Sequence, residues 1–145
     1  METRQGRGGW ITAWDTAVWA RLERGERVDQ WLRPLVSSLA DNLHNPRNNQ
    51  SDANFGLTAA VGEALLQSHA GGISLLPALP PSWSSGSIRG LRARGAFEVD
   101  MTWRDGKLVE AAIRSINGGS ANLRYGSLVR EVKLRKGEIY RWNEN

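Results

Sequence analysis

The stretch AFEVDMTWRDGKLVEAAIRSI (residues 96–116) decides the fold of the second half of the chain. Its first part alternates polar and apolar residues, and the apolar ones are Phe97, Val99, Met101 and Trp103. Successive side chains of a strand point to opposite faces, so these four share one face. The dipeptide Asp105-Gly106 follows, which is a strong signal for a two-residue turn. The stretch therefore predicts an antiparallel hairpin with one buried face.

On the return strand of this hairpin, the apolar residues shift from even-numbered to odd-numbered positions. A two-residue turn pairs Trp103 with Leu108, yet the apolar residues that follow are Val109, Ala111 and Ile113. Such a change within one strand requires one extra residue. The sequence therefore predicts a β-bulge near Val109 or Glu110.

Further short strands lie on both sides of the hairpin. One is predicted from Ile73 to Leu76, between the breakers Gly71-Gly72 and Pro80-Pro81. Others are predicted in ANLRYG (residues 121–126), REVKL (residues 130–134) and EIYRW (residues 138–142). We interpret residues 73–145 as a C-terminal antiparallel β-sandwich domain of five to seven strands.

Residues 1–72 show the period of helices instead. GWITAWDTAVWARL (residues 9–22) is apolar nearly all round, which is typical of a helix inside a larger helical assembly, and Gly25 is predicted to end it in a left-handed cap. VDQWLRPLVSSL (residues 28–39) carries one apolar stripe, and Pro34 should kink or restart that helix. A third helix is predicted from about Phe55 to Ser68.

Composition limits the classes of function. Of the 145 residues, 40% are hydrophobic and seven are tryptophan, so a packed core is expected. The absence of cysteine excludes disulfides and thiolate metal sites. No run approaches the ~20 apolar residues of a membrane span, and no membrane partner is expected. The first ten residues lack the apolar segment of a signal peptide, and localisation is left open.

The net charge of +4 is unevenly distributed. Residues 1–72 carry seven Lys or Arg and eight Asp or Glu, whereas residues 73–145 carry twelve and seven. A basic half can indicate nucleic-acid binding. Because the basic residues are spread singly between apolar ones, we favour a solvated β surface and expect no nucleic-acid partner.

A loop from Asp41 to Asn54 is rich in groups that bind hydroxyls. It holds five asparagines, one glutamine, two aspartates and His44. Asp52 stands just ahead of the predicted third helix, where it can serve as an N-cap or as a working base. The helix dipole there favours a carboxylate, which suits a water-polarising group rather than a proton donor. The other histidine, His69, is predicted to close the third helix, and no metal site is expected.

Several blocks of the chain resemble one family. They are GWITAWDTAVWARL, SDANFG, LLQSHAGGISLLPALPPSW and GSIRGLRARGAFEVDMTWRDGKL, in this order, and the resemblance extends from Gly8 to about Ile116. They are similar to the C-terminal part of glycoside hydrolase family 95, the α-L-fucosidases. The resemblance implies an α+β chain: a few helices of an (α/α)6 barrel that holds the active site, followed by a C-terminal β domain.

The resemblance also implies the chemistry. The family removes terminal fucose from glycans with inversion, without metal or cofactor, and uses a glutamate as general acid. Asparagines position and activate the water, helped by an aspartate in a motif of the form Q-I-D-G-N-F-G. Gln50 to Gly56 match that motif, so Asp52 is the implied catalytic residue and Asn54 and His44 the implied substrate-binding residues. Ser51 and Ala53 depart from it, and His44 is displaced by about two residues.

The counterparts of the general acid and of the water-holding asparagines are absent from these 145 residues. An inverting glycosidase needs an acid and a base on opposite sides of the bond. We therefore expect the isolated chain to be inactive. Three helices cannot close a barrel, so we also expect an exposed apolar patch, self-association or docking on a missing barrel segment. The alternatives are a non-catalytic carbohydrate-binding or structural module, and a nucleic-acid binder.

Overall fold

The computed structural model describes residues 9–37, 39–40 and 51–143. Three helices come first: α1 (Gly9–Arg21), α2 (Gly25–Val36) and α3 (Ser51–Leu65). Eight strands follow, and they are β1 (Leu66–Gln67), β2 (Ile73–Leu75), β3 (Gly86–Ala93), β4 (Phe97–Arg104), β5 (Lys107–Ser115), β6 (Gly119–Tyr125), β7 (Leu128–Leu134) and β8 (Ile139–Asn143). The predicted α+β class with a C-terminal β-sandwich is confirmed.

The strands form two four-stranded sheets, in the orders β1-β2-β6-β7 and β3-β4-β5-β8. Every neighbouring pair is antiparallel except β2 and β6, which run parallel with Ile73 opposite Leu123. The predicted all-antiparallel arrangement is wrong at that pair. Residues 73–143 hold seven of the eight strands, within the predicted five to seven, and β1 precedes the predicted β domain. A register shift between Ile88 and Leu91 interrupts β3.

The bulge predicted in the hairpin is confirmed. Trp103 pairs with Leu108 while Thr102 pairs with Glu110, so Val109 is the extra residue. Beyond it Met101 faces Ala111, and both are buried. The extra residue restores a single buried face along both strands, and Val109 itself is exposed.

The core lies between the two sheets. The apolar residues of β4 are all buried, and the larger cluster around them also includes Leu65, Leu75, Leu108, Ile113, Leu123, Val132 and Trp142. Trp142 is 1% exposed, and the guanidinium carbon of Arg130 lies 4.3 Å from the centre of its ring. A cation over a tryptophan face is attracted by the ring quadrupole, so Arg130 covers the tryptophan at the rim of the sandwich.

Helices α1 and α3 pack closely because small residues line their contact. The buried positions are Gly9, Ala13, Thr16 and Ala20 on α1 and Ala53, Ala60 and Ala64 on α3. A Cβ added at Gly56 would lie 2.8 Å from the Cβ of Ala13, which is closer than real Cβ atoms approach. A bidentate ion pair from Arg21 to Glu63, with both N–O distances 2.7 Å, joins the same two helices.

The predicted cap of α1 at Gly25 is wrong. Glu23, with φ +56°, takes the left-handed position, while the N–H of Arg24 donates to Trp19 O and that of Glu23 to Ala20 O. This is the hydrogen-bond pattern of a Schellman cap. Gly25 begins α2, and glycine is required there because an added Cβ would lie 2.3 Å from the carbonyl oxygen of Leu79.

Two further helix predictions need correction. Pro34 lies in the last turn of α2, which continues to Val36, so the helix does not restart there, and the alternative of a kink stays a prediction. The third helix begins at Ser51, four residues earlier than predicted, and ends at Leu65, before His69. Asp52 is therefore inside the first turn rather than ahead of the helix, and His69 follows β1 rather than closing a helix.

Polar contacts hold the helices on the sheets. The amide nitrogen of Gln67 donates to Ala20 O at 2.7 Å and to Glu63 O at 2.9 Å. Ser82 Oγ donates to Asp29 Oδ1 at 2.5 Å. The side-chain hydrogen bonds from Arg33 and, to a smaller extent, the one from Ser82 lower the pKa of Asp29. The predicted domain boundary between residues 72 and 73 falls in the loop that joins β1 and β2.

Candidate functional site

The polar candidate site starts at the N-terminal turn of α3. Asp52 is the second residue of this helix, and its side chain is exposed. The next residue, Ala53, is buried, as is Ala60 on the side that packs on α1. This packing turns Asp52 outward. The position therefore presents a carboxylate to solvent.

Asn54 lies on a different side of the helix from Asp52. Residues two apart in an α-helix are about 200° apart around the axis and do not face each other. Accordingly Asp52 is exposed while Asn54 is half-buried. The hydroxyl of Thr58 donates to the carbonyl oxygen of Asn54 at 3.1 Å. A ligand that touched both side chains would have to lie across the N-terminal end of α3.

Phe55 is a candidate that the sequence did not single out. It follows Asp52 by three residues, a spacing that places both on one face of a helix, and its side chain is 74% exposed. Ala59 continues the same exposed face. The i, i+3 spacing is visible in SDANFG, but an aromatic residue there is equally typical of a buried helix face. Only the packing of α3 on α1 shows that Phe55 is exposed.

The remaining histidine predictions have different outcomes. His44 lies outside the described residues, so its predicted role in substrate binding stays a prediction. His69 is exposed. Within residues 9–37, 39–40 and 51–143, no group of three or more His, Asp or Glu side chains is arranged to hold a metal ion. In the same ranges no helix is long and apolar enough to cross a membrane.

The outer face of α1 carries an exposed apolar ridge, formed by Trp10, Trp14, Val18 and Leu22. These residues recur every four positions, which aligns them along one side of the helix. Trp14 is 62% exposed, whereas a monomeric soluble protein normally scatters such residues singly. The predicted exposed apolar patch is thus present. Of the five residues expected to lack partners, Trp10 and Trp14 are exposed, Trp19 and Trp31 are half-buried, and Leu35 is buried.

A second polar cluster lies where the helices meet the sheets. Both terminal nitrogens of Arg124 on β6 bind the carboxylate of Glu23, and Arg124 Nε donates to Ser74 Oγ at 3.2 Å. A left-handed residue other than glycine costs about 1–2 kcal/mol. A partly exposed ion pair contributes only about 0–1 kcal/mol. The pair with Arg124 therefore offsets only part of the strain at Glu23, and the hydrogen bonds of the α1 cap also hold this conformation.

Two protein-family models match this chain, one over the helices and one over the strands. Residues 67–143 match "Glycoside hydrolase family 95, C-terminal domain", and residues 1–65 match "Glycosyl hydrolase family 95 catalytic domain". The described helices thus lie in the catalytic-domain match. The eight strands lie in the C-terminal match, except Leu66 at the start of β1.

Two named relatives are similar to this chain along most of its length. The chain is 35% identical to "Alpha-L-fucosidase 2" of Arabidopsis thaliana over 94% of its own length, and 34% identical to "Probable alpha-fucosidase A" of Aspergillus oryzae over 80%. It spans only 18% of the length of either relative. Since a family match covers more than half of its residues, the chain belongs to glycoside hydrolase family 95.

Proposed function

We propose that this chain contributes one part of the active site of an α-L-fucosidase that hydrolyses terminal α-L-fucosyl bonds of glycans. The observation that carries the proposal is the placement of Asp52. Its carboxylate is exposed at the N-terminal turn of α3, within the residues that match the catalytic domain. The names of the relatives supply the substrate class.

The proposed reaction inverts the configuration of fucose. An acid protonates the leaving oxygen while a carboxylate on the other face of the sugar activates a water, and the two are about 6.5–9.5 Å apart. Asp52 takes the second role, because its exposed carboxylate can accept a proton from water. Asn54, and His44 by resemblance, bind the sugar. Phe55 offers an apolar surface beside Asp52 that suits the C6 methyl group of fucose.

The general acid must come from polypeptide outside these 145 residues. We therefore expect the purified chain to release no detectable fucose from 2′-fucosyllactose, since a general acid alone contributes about 10²–10⁴ in rate. A chimera tests whether this chain supplies its part of the active site. The part of the Arabidopsis thaliana relative that aligns with this chain is replaced by this chain, and fucose release should return. An active isolated chain, or an inactive chimera that is folded, would contradict the proposal.

The α1 ridge is proposed to bind the rest of the catalytic domain, because the chain matches only part of the relatives. Without that partner, we expect the isolated chain to self-associate through the ridge at micromolar concentration. Burying one large apolar side chain is worth about 1.5–3 kcal/mol. Sedimentation should show dimers or larger species, and Trp14→Glu should shift them to monomer. Phe55→Glu is the matched control on another helix, and a monomeric parent chain would contradict the expectation.

No nucleic-acid partner is proposed for the basic half. Several of its cations are paired with carboxylates: Arg92 and Arg114 with Glu98, and Arg141 with Glu110. Paired cations attract phosphates weakly, which supports a solvated sheet surface. Retention on DNA that falls steeply with salt concentration would instead indicate nucleic-acid binding.

A further inference from the structure

We propose that the cleft at the junction of helices and sheets is a second carbohydrate-binding site, which takes a neutral sugar residue of a glycan. The cleft has a volume of about 440 Å³, within the range of about 300–1,000 Å³ that is usual for small-molecule pockets. Three turns converge on it: the α1–α2 turn, the β4–β5 turn and the β6–β7 turn. The proposal does not depend on the role assigned to Asp52.

The polar side of the cleft is already organised by the protein. Arg124 is held between Glu23 and Ser74, which engage three of its five N–H donors. The carboxylate of Glu23 keeps further lone pairs that can accept hydrogen bonds. Donors and acceptors held side by side match the adjacent hydroxyls of a sugar, each of which both donates and accepts. Little rearrangement is then needed on binding.

The other side of the cleft is apolar. Pro77 and Leu128 line it, and Pro77 is half-buried while Leu128 is 54% exposed. A sugar ring has an apolar face of C–H groups, which such a wall can cover. An anion is disfavoured, because Glu23 already neutralises the charge of Arg124. The combination of a neutral polar pair and an apolar wall therefore favours a neutral sugar.

Backbone strain is concentrated at this cleft. Two of the four non-glycine residues with positive φ in the described ranges line it, Glu23 at +56° and Leu76 at +49°. Leu76 is held there by its N–H, which donates to Leu65 O at 2.8 Å. A bulky side chain in this region is uncommon, and such residues cluster at binding sites. Two strained residues from distant parts of the chain, Glu23 and Leu76, therefore meet at one cleft.

The cleft is separate from the Asp52 position. Leu76 is bonded to the last residue of α3, whereas Asp52 lies in the first turn. Leu65 is thirteen positions after Asp52 along α3, which corresponds to about 20 Å of helix. The two positions therefore contact different residues of one glycan or different glycans.

Nuclear magnetic resonance of the 145-residue chain tests the proposal. ¹⁵N-labelled chain is titrated with lactose and with 2′-fucosyllactose, and inorganic phosphate is the anionic comparison. We expect both sugars to shift the amides of Leu76, Gly106 and Ser127 in a saturable manner, and phosphate to leave them in place. The proposal would be overturned if phosphate alone shifted these amides. It would also be overturned if neither sugar shifted them at concentrations up to about 50 times a Kd of about 1 mM.

Two variants and a matched control locate the binding. Glu23→Gly removes the carboxylate but keeps a residue suited to φ +56°, so the fold is retained. We expect this variant to bind both sugars at least tenfold more weakly. Arg124→Met should weaken binding similarly. Arg141→Met removes a comparable pair with Glu110 on the other sheet and should leave Kd unchanged. Equal losses in all three variants would refute the site, as would sugar-induced shifts confined to Asp52 and Asn54.

Discussion

Asp52→Asn in the chimera is expected to lower kcat for fucose release from 2′-fucosyllactose by about 10²–10⁴-fold, the usual contribution of a general base. The amide keeps the size and the exposed position of the side chain in the first turn of α3, but it cannot accept the proton of the attacking water. Because the carboxylate acts mainly on the water, KM should change little. Initial rates over a range of substrate concentrations separate the two constants.

Asp105→Asn is the matched control for this substitution. Asp105 is an exposed carboxylate in the β4–β5 turn, with φ +52°, a conformation that asparagine tolerates. It should leave kcat unchanged. If Asp52→Asn raised KM and left kcat intact, Asp52 would be a substrate-binding residue and not the base. If neither constant changed, the assignment of Asp52 to the site would be wrong.

Trp142→Ala is expected to lower the free energy of unfolding by about 3–5 kcal/mol, as is usual for a buried tryptophan. Trp142 is 1% exposed in the core between the sheets. Its removal leaves a cavity, and Arg130 loses the ring that lies 4.3 Å from its guanidinium. Such a loss is a large fraction of the stability of a domain, which is about 5–15 kcal/mol. Urea unfolding followed by circular dichroism measures it.

Trp14→Ala is the matched control, since it removes the same side chain from a position that is 62% exposed. Both variants are compared at one protein concentration, below that at which the α1 ridge causes self-association. There the effect of Trp14→Ala on unfolding should stay within about 0.5 kcal/mol, as for other surface substitutions. Equal destabilisation by the two substitutions in the monomer would contradict the difference in burial between Trp142 and Trp14.

The hairpin shows what local sequence can establish. Alternation in residues 97–103, the Asp105-Gly106 turn and the shift of apolar parity are all contained in about twenty residues. Together they predicted the pairing of Trp103 with Leu108 and the bulge at Val109. The helical period of α1 and the strands β6 to β8 were predicted on the same basis. Each of these features depends on residues close together in the chain.

The candidate site was predicted only in part. The residues of SDANFG identify Asp52 and Asn54 by resemblance, but their sequence spacing does not reveal which face of α3 packs on α1. That face is chosen by small residues, Ala13 on α1 and Gly56 on α3, which come from separate segments. The exposure of Phe55 follows from the same packing. The prediction that His44 belongs to the site remains open.

By itself, the sequence determined the fold class, the family, the hairpin with its bulge and the identity of the candidate carboxylate. Only the tertiary structure decided the parallel pairing of β2 with β6, the glycine at position 25 and the contact between Glu23 and Arg124, which are 101 residues apart. The physical reason is that periodicity and turn chemistry act over a few residues. Close approaches between distant segments depend instead on how whole elements pack, and no local pattern records which of them will meet.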